Sequence, residues 1–170
     1  MITETLSPLL TERVERMAVA LLRNADAAGL MLATAESCTG GLLASLLTDI
    51  DGLSHVFDRG FVVYSEHAKC ELLGLTQDTI DACGAVSRDV AIAMAKGALA
   101  ASDAQVTLAV TGFAGPAGPE DETGLVHFAC ARAGRECCHR EEHFGEIDRG
   151  AVRLACVDVA LEMMMAAVSS

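Results

Sequence analysis

The sequence predicts an α/β protein, a three-layer α/β/α sandwich around a mixed, mostly parallel sheet. Three observations carry this. Short apolar runs alternate with stretches whose apolar residues recur at helical spacing. Two strand-like runs then adjoin around Ala133-Gly134, which adds an antiparallel edge. A length of 170 residues at 52% hydrophobic content fits one domain over 1–170, with enough chain to bury a core without staples.

Leu9 to Ala28 reads as an amphipathic helix, with Val14, Met17, Leu21 and Leu22 on its apolar side and Gly29 as its stop. Leu30–Ala35 is a short apolar run bounded by polar residues and is expected as a buried strand. A second helix starts near Gly40, with Leu42, Leu43, Leu46 and Leu47 facing inward. Arg59–Tyr64 is the next strand. Ser65 caps a short helix through Leu73 that Gly74 ends, and Ser87 precedes a helix through Ala101. Gln105–Thr111 is a strand running into Gly112–Pro119, a loop that holds three glycines and two of the three prolines. Leu125–Ala131 and Glu136–His143 form the hairpin. Asp148 opens the last helix, with Val152, Cys156, Val159, Met163 and Ala167 as its apolar positions. Within it, Met163–Met165 reads as core or as a partner-facing surface.

Composition narrows the function. Twelve Lys/Arg against twenty-four Asp/Glu give a net charge of −12, which argues against binding the phosphate backbone of DNA or RNA. No Trp and a single Tyr leave little to stack single-stranded bases on. No apolar run approaches a membrane span, and Met1–Glu4 lacks the basic and apolar regions of a secretory signal. Seven cysteines, two of them adjacent, suit reduced thiols in a cytoplasmic protein.

Chemistry concentrates in four places. Ala35-Glu36-Ser37-Cys38-Thr39-Gly40-Gly41 lies at the carboxyl end of a strand and the start of a helix, the edge where open α/β sheets bind ligands. Its glycines admit a close ligand, and helix-start N–H groups favour negative charge or an oxyanion. The same residues also suit a plain turn in which Ser37 and Thr39 only cap. Tyr64-Ser65-Glu66-His67-Ala68-Lys69 carries one of only two lysines. On a solvated face Lys69 is a surface charge; desolvated, its neutral amine accepts a serine proton, provided Glu36 points away or is screened. The Gly112–Pro119 loop is either a rigid connection or a second wall of the same pocket. Cys137-Cys138-His139 with His143 offers metal-loving atoms, but strand alternation splits Cys138 from the others and no second pair has zinc-site spacing.

Several of these motifs follow one another in a recognisable order. Thr34–Gly41 is followed by Arg59–Ser65 with Ala68-Lys69, then Gly84-Ala85-Val86-Ser87, then Thr111–Pro116. Together they closely resemble the carboxy-terminal domain of the competence/damage-inducible CinA proteins, from about residue 10 to the end of the chain. Stand-alone members of that family are nicotinamide-nucleotide amidohydrolases. The resemblance implies deamidation of nicotinamide mononucleotide to nicotinic acid mononucleotide and ammonia by a metal-free serine mechanism in a homo-oligomer, and no other cofactor is expected. It implies Ser37 as nucleophile, Lys69 as general base and Tyr64 as an assisting or orienting group. Glu36, Thr39, Gly40, Gly41, Thr111, Gly112, Ala114 and Gly115 would line the nucleotide site, with Arg149 as phosphate clamp. The alternatives are a catalytically silent nucleotide-binding or regulatory module, and an amidase for another small carboxamide. Two segments depart from the family pattern: the loop from Pro116 to Thr123-Gly124, and Phe144–Arg149, which replaces a Ser-Gly-Asp-Arg run.

Overall fold

The computed structural model describes residues 10–170. The expected helix start at Leu9 and the Met1–Glu4 segment lie outside the described residues. Elements follow in the order α1 (Glu12–Ala27), β1 (Leu32–Glu36), α2 (Leu42–Thr48), a 3₁₀ turn (Ser54–Val56), β2 (Phe57–Val62), α3 (Glu66–Leu73), α4 (Gln77–Cys83), α5 (Arg88–Ala100), β3 (Val106–Gly112), β4 (Leu125–Arg132), β5 (Cys138–His143) and α6 (Arg149–Ser169).

The sheet order is β2-β1-β3-β4-β5. β1 pairs in parallel with β2 and β3, while β4 pairs antiparallel with β3 and β5, so β4 alone runs against the other four. From β1 the chain moves to one side to make β2, then returns past β1 to make β3. The carboxyl ends of β1 and β3 therefore flank the point where strand order reverses, and a crevice opens there.

Period-two alternation divides the core. Leu32, Val106, Leu108 and Cys130 face α1, α2 and α6, against Leu21, Leu22, Leu47, Leu161 and Met164. On the opposite face Ala35, Ala109, Ala129 and Ala131 meet α5 through Ala91, Ala95 and Ala98. Small residues on both sides let α5 approach closely, and Thr107 Oγ1 donates to the Ala95 carbonyl at 2.7 Å. Gly97 performs the same service on the outer side of α5, where any Cβ would run into the Leu73 carbonyl at the end of α3.

Helix starts follow their capping residues: the side chains of Ser65, Ser87 and Asp148 accept the N–H groups of Ala68, Val90 and Ala151. Gly74, at φ 71°, ends α3 as expected. One strand is shifted from its expected place and two helices add to what the sequence shows. β2 runs from Phe57 to Val62 rather than Arg59 to Tyr64, and as the sheet's edge strand it leaves Val62 half exposed. α4 appears between Leu73 and Ser87 where the sequence shows no helical period, because Ile80 is its one buried residue. α6 buries a broader stripe, including Val157, Leu161, Met164 and Val168, with Met163 and Ala167 half-buried beside it. The helix serves two apolar clusters at once, so a single heptad-like track under-reads it, and the methionine run packs as core.

Candidate active site

Ser37 is the first residue past β1. Its N–H continues the ladder to the Val110 carbonyl at 3.0 Å, which fixes its backbone at the carboxyl edge of the sheet. Lys69 reaches the same place from α3. Ser65 caps that helix and also accepts the Lys69 N–H at 3.1 Å, so the lysine is anchored within one turn of the helix start. Lys69 is only 2% exposed. Its Nζ donates to the Val63 carbonyl at 3.0 Å and to Ser37 Oγ at 3.1 Å.

Burial of that ammonium among apolar neighbours lowers its pKa below the ordinary lysine value of 10.5; Glu66, Cys38 and Cys70 oppose the shift. Glu36 points away. Its fully buried carboxylate accepts the N–H groups of Leu43 at 3.1 Å and Ala44 at 2.8 Å and the Thr34 hydroxyl at 3.2 Å. The negative charge attracted to the start of α2 is thus supplied by the chain itself, and those N–H groups are not open to a ligand. Glu36 is a strut under the turn, not a wall of the site. Replacing Glu36 by Gln removes one acceptor and sets an NH₂ against a backbone donor. The expected loss is about 2 kcal/mol, read from the urea midpoint; an unchanged midpoint contradicts the strut.

Ser37 and Lys69 open into a cavity of about 340 Å³, closed by Tyr64, Thr111, Ala114, Gly115 and Arg149 among others. Thr111 faces inward from β3, and its hydroxyl donates to the Ala85 carbonyl at 2.9 Å, pinning the Ala85-Val86 segment as the opposite wall. Gly112 is a glycine because a Cβ would strike β4 at Val126 and Leu125. At Gly115 a Cβ would crowd Arg149 Nη1 at 2.9 Å, so the loop passes close to the guanidinium. Tyr64 is 67% exposed at the rim; its hydroxyl accepts from Arg149 Nη2 at 3.2 Å, not from Lys69. A second cavity of about 340 Å³ shares Gly115, Pro116 and Arg149 with the first and adds Thr123, Glu146, Ile147 and Asp148. The two segments that depart from the family pattern are the walls of this outer lobe.

Of the residues expected at the site, Ser37, Lys69, Tyr64, Thr111, Gly112, Ala114, Gly115 and Arg149 come together. Thr39, Gly40 and Gly41 do not: they lie behind the wall made by Ser37 and Cys38, and Thr39 is 1% exposed with its hydroxyl turned inward. Their glycines serve the turn, both at positive φ, 61° and 93°. Sequence reasoning missed the Val63 carbonyl, a backbone group that no residue identity advertises. It also gave no function to Ala85-Val86, whose side chains carry no chemistry. Away from the cavity, His127 stacks on His139 with 3.1 Å between ring nitrogens, and His143 lies between Glu122 and Glu141.

Fold and site define a class: a three-layer α/β protein with a buried serine–lysine pair at the reversal point of its sheet. The sequence profile of the CinA C-terminal domain matches residues 14–168, and the chain belongs to that family. It is 44% identical over 140 residues to the nicotinamide-nucleotide amidohydrolase PncC of Escherichia coli K12, covering 81% of this chain and 84% of that protein. It is 53% identical over 110 residues to a competence-damage inducible protein of Symbiobacterium thermophilum, of whose length the match spans 26%. The crystal structure of the competence/damage inducible protein CihA from Agrobacterium tumefaciens superposes with a TM-score of 0.90 at 45% identity, over 95% of this chain and 98% of that one.

Proposed function

We propose that the protein is a nicotinamide-nucleotide amidohydrolase, converting nicotinamide mononucleotide and water to nicotinic acid mononucleotide and ammonia. The observation that carries this is the 3.1 Å approach of a buried lysine amine to Ser37 Oγ at the head of a small-molecule-sized cavity. The similarity to PncC supplies the substrate.

In the neutral form of Lys69, one N–H still donates to Val63 and the lone pair faces Ser37. The hydroxyl then becomes the donor. Oγ attacks the carboxamide carbon while Nζ takes its proton, and the N–H of Cys38, next to Ser37 on the cavity wall, receives the negative oxygen. Lys69 passes the proton to the departing nitrogen, the C–N bond breaks, and ammonia leaves. Lys69, neutral again, deprotonates a water that attacks the acyl carbon; as the acyl–Oγ bond breaks, the Lys69 ammonium returns that proton to Ser37 and the acid product leaves.

Arg149 is the cation at the junction of the two lobes and is proposed to hold the phosphate. That contact exists in ground and transition states alike. Arg149→Ala is therefore expected to raise KM for the mononucleotide about tenfold to a hundredfold with little change in kcat. A loss confined to kcat contradicts the clamp. Seven cysteines suit the reducing cytoplasm, and β2 leaves one edge of the sheet unpaired, where a second copy of the chain would pair in a homo-oligomer. The deciding experiment compares ammonia release from nicotinamide mononucleotide, free nicotinamide and the dinucleotide. Preference for the mononucleotide supports this reading; no release from any of the three overturns it in favour of a silent binding module.

A further inference from the structure

The turn that follows Ser37 is held from beneath by an arginine outside the cavity wall. Arg153 stands one helical turn after Arg149 on α6, and its Nη2 donates to the Thr39 carbonyl at 2.8 Å. The same carbonyl accepts the Leu42 N–H at 3.2 Å. At Gly40, the next residue, a Cβ would sit 3.5 Å from that Nη2, so the guanidinium is packed directly against the turn.

This placement costs stability. Arg153 Nε is buried without a hydrogen-bond partner, as is Thr39 Oγ1. Among the described residues, no arginine ion pair includes Arg153. A half-buried charge with an orphaned donor and no counter-ion is a poor way to hold two elements together, and an apolar side chain of the same length would serve packing better. What the guanidinium adds is a directed bond to one carbonyl.

We propose that Arg153 is a positioning residue for the nucleophile, an inference that rests on the serine–lysine reading above. By fixing the Thr39 carbonyl it holds the 38–41 turn, and with it the position of Ser37 Oγ relative to Lys69. The turn's own hydrogen bonds use the N–H groups of Gly40 and Leu42, and the Ser37 N–H goes to Val110 on β3; the Cys38 N–H takes no part in these backbone bonds. With the Thr39 carbonyl tied down on the α6 side, the turn keeps the Cys38 N–H on the cavity wall in one orientation for a developing oxyanion. Arg153 touches no substrate and acts through the backbone alone.

The test uses Arg153→Met, which keeps the stem and removes the guanidinium, and Arg153→Lys, which restores a single donor. Two reactions are followed in the full-length protein: ammonia release from nicotinamide mononucleotide, and phosphonylation of Ser37 by a fluorophosphonate, read by intact mass. The second reaction needs the hydroxyl and the oxyanion donors but no nucleotide. Arg153→Met is expected to lower kcat and the labelling rate together by about 10²-fold, the scale of an ångström's misplacement. KM and the pH midpoint stay close to wild type, because Arg149 keeps its place between the two lobes and the burial of Lys69 that lowers its pKa does not involve Arg153. Arg153→Lys recovers part of both rates. Should Arg153→Met fail to fold, Arg153→Gln takes its place.

Wild-type labelling in the variant overturns the proposal, and so does a rise in KM alone or a shifted pH midpoint. Wild-type protein that labels on Ser37 yet releases no ammonia refutes the substrate assignment instead, and the labelling rates still decide the role of Arg153. If wild type neither labels nor releases ammonia, the nucleophile assignment and this inference fall together.

Discussion

Ser37→Ala is expected to abolish ammonia release, by at least about 10⁴-fold in kcat, while leaving the fold as it is. The size follows from the hydroxyl being the atom that forms the new bond; without it only binding and oxyanion donors remain. The fold survives because the residue's structural duty is borne by its backbone, through the N–H to Val110. Lys69 keeps the Val63 carbonyl as partner. Circular dichroism and the melting temperature are expected to match wild type, and substrate binding is expected to persist in calorimetry. Residual turnover near the wild-type rate moves the nucleophile elsewhere.

Lys69→Met is expected to lower turnover by about 10²–10⁴-fold, the range of a lost general base, and at the same time to raise thermal stability. A cation whose pKa is lowered by burial binds its proton less well folded than unfolded. Below the folded-state ionisation, both states carry the proton and the full burial cost is felt. As pH rises from there to 10.5, the unfolded chain holds more protons than the folded one, so wild-type stability climbs. Methionine carries no such cost, and the variant's advantage is therefore largest at low pH and shrinks through that window. Wild-type activity is expected to rise with pH through a midpoint below 10.5, and Lys69→Met to lose that limb. A midpoint at the value of a solvated lysine, or a variant less stable than wild type at neutral pH, refutes the neutral-amine mechanism.

The layered fold was legible because its signals are local. Alternating apolar runs, capping residues such as Ser65 and Asp148, and a stop glycine at position 74 each act within a few residues. α4 was not legible, since one inward residue, Ile80, makes no period. The site was legible in a different way. Ser37 and Lys69 were named through the order of several motifs, while their mutual approach across 32 positions depends on how α3 sits against the sheet. The same limit explains Glu36, Thr39, Gly40 and Gly41. A glycine-rich turn with a carboxylate looks like a ligand cradle on paper, yet the fold turns that carboxylate inward to satisfy Leu43 and Ala44. Arg153 is missed for the converse reason: its importance lies in a contact with a carbonyl 114 positions earlier.

Gly97 does not line the cavity, yet it sets how closely α3 lies against α5. Because it presents bare backbone to the Leu73 carbonyl, α3 can seat against α5, and Lys69 rides on α3 one turn before that contact. The amine's reach to the hydroxyl is gauged from behind, by the thickness of a helix with one side chain missing. An added methyl group would act as a shim, lifting the whole lever that carries the base while every residue of the reaction stayed in place in the sequence.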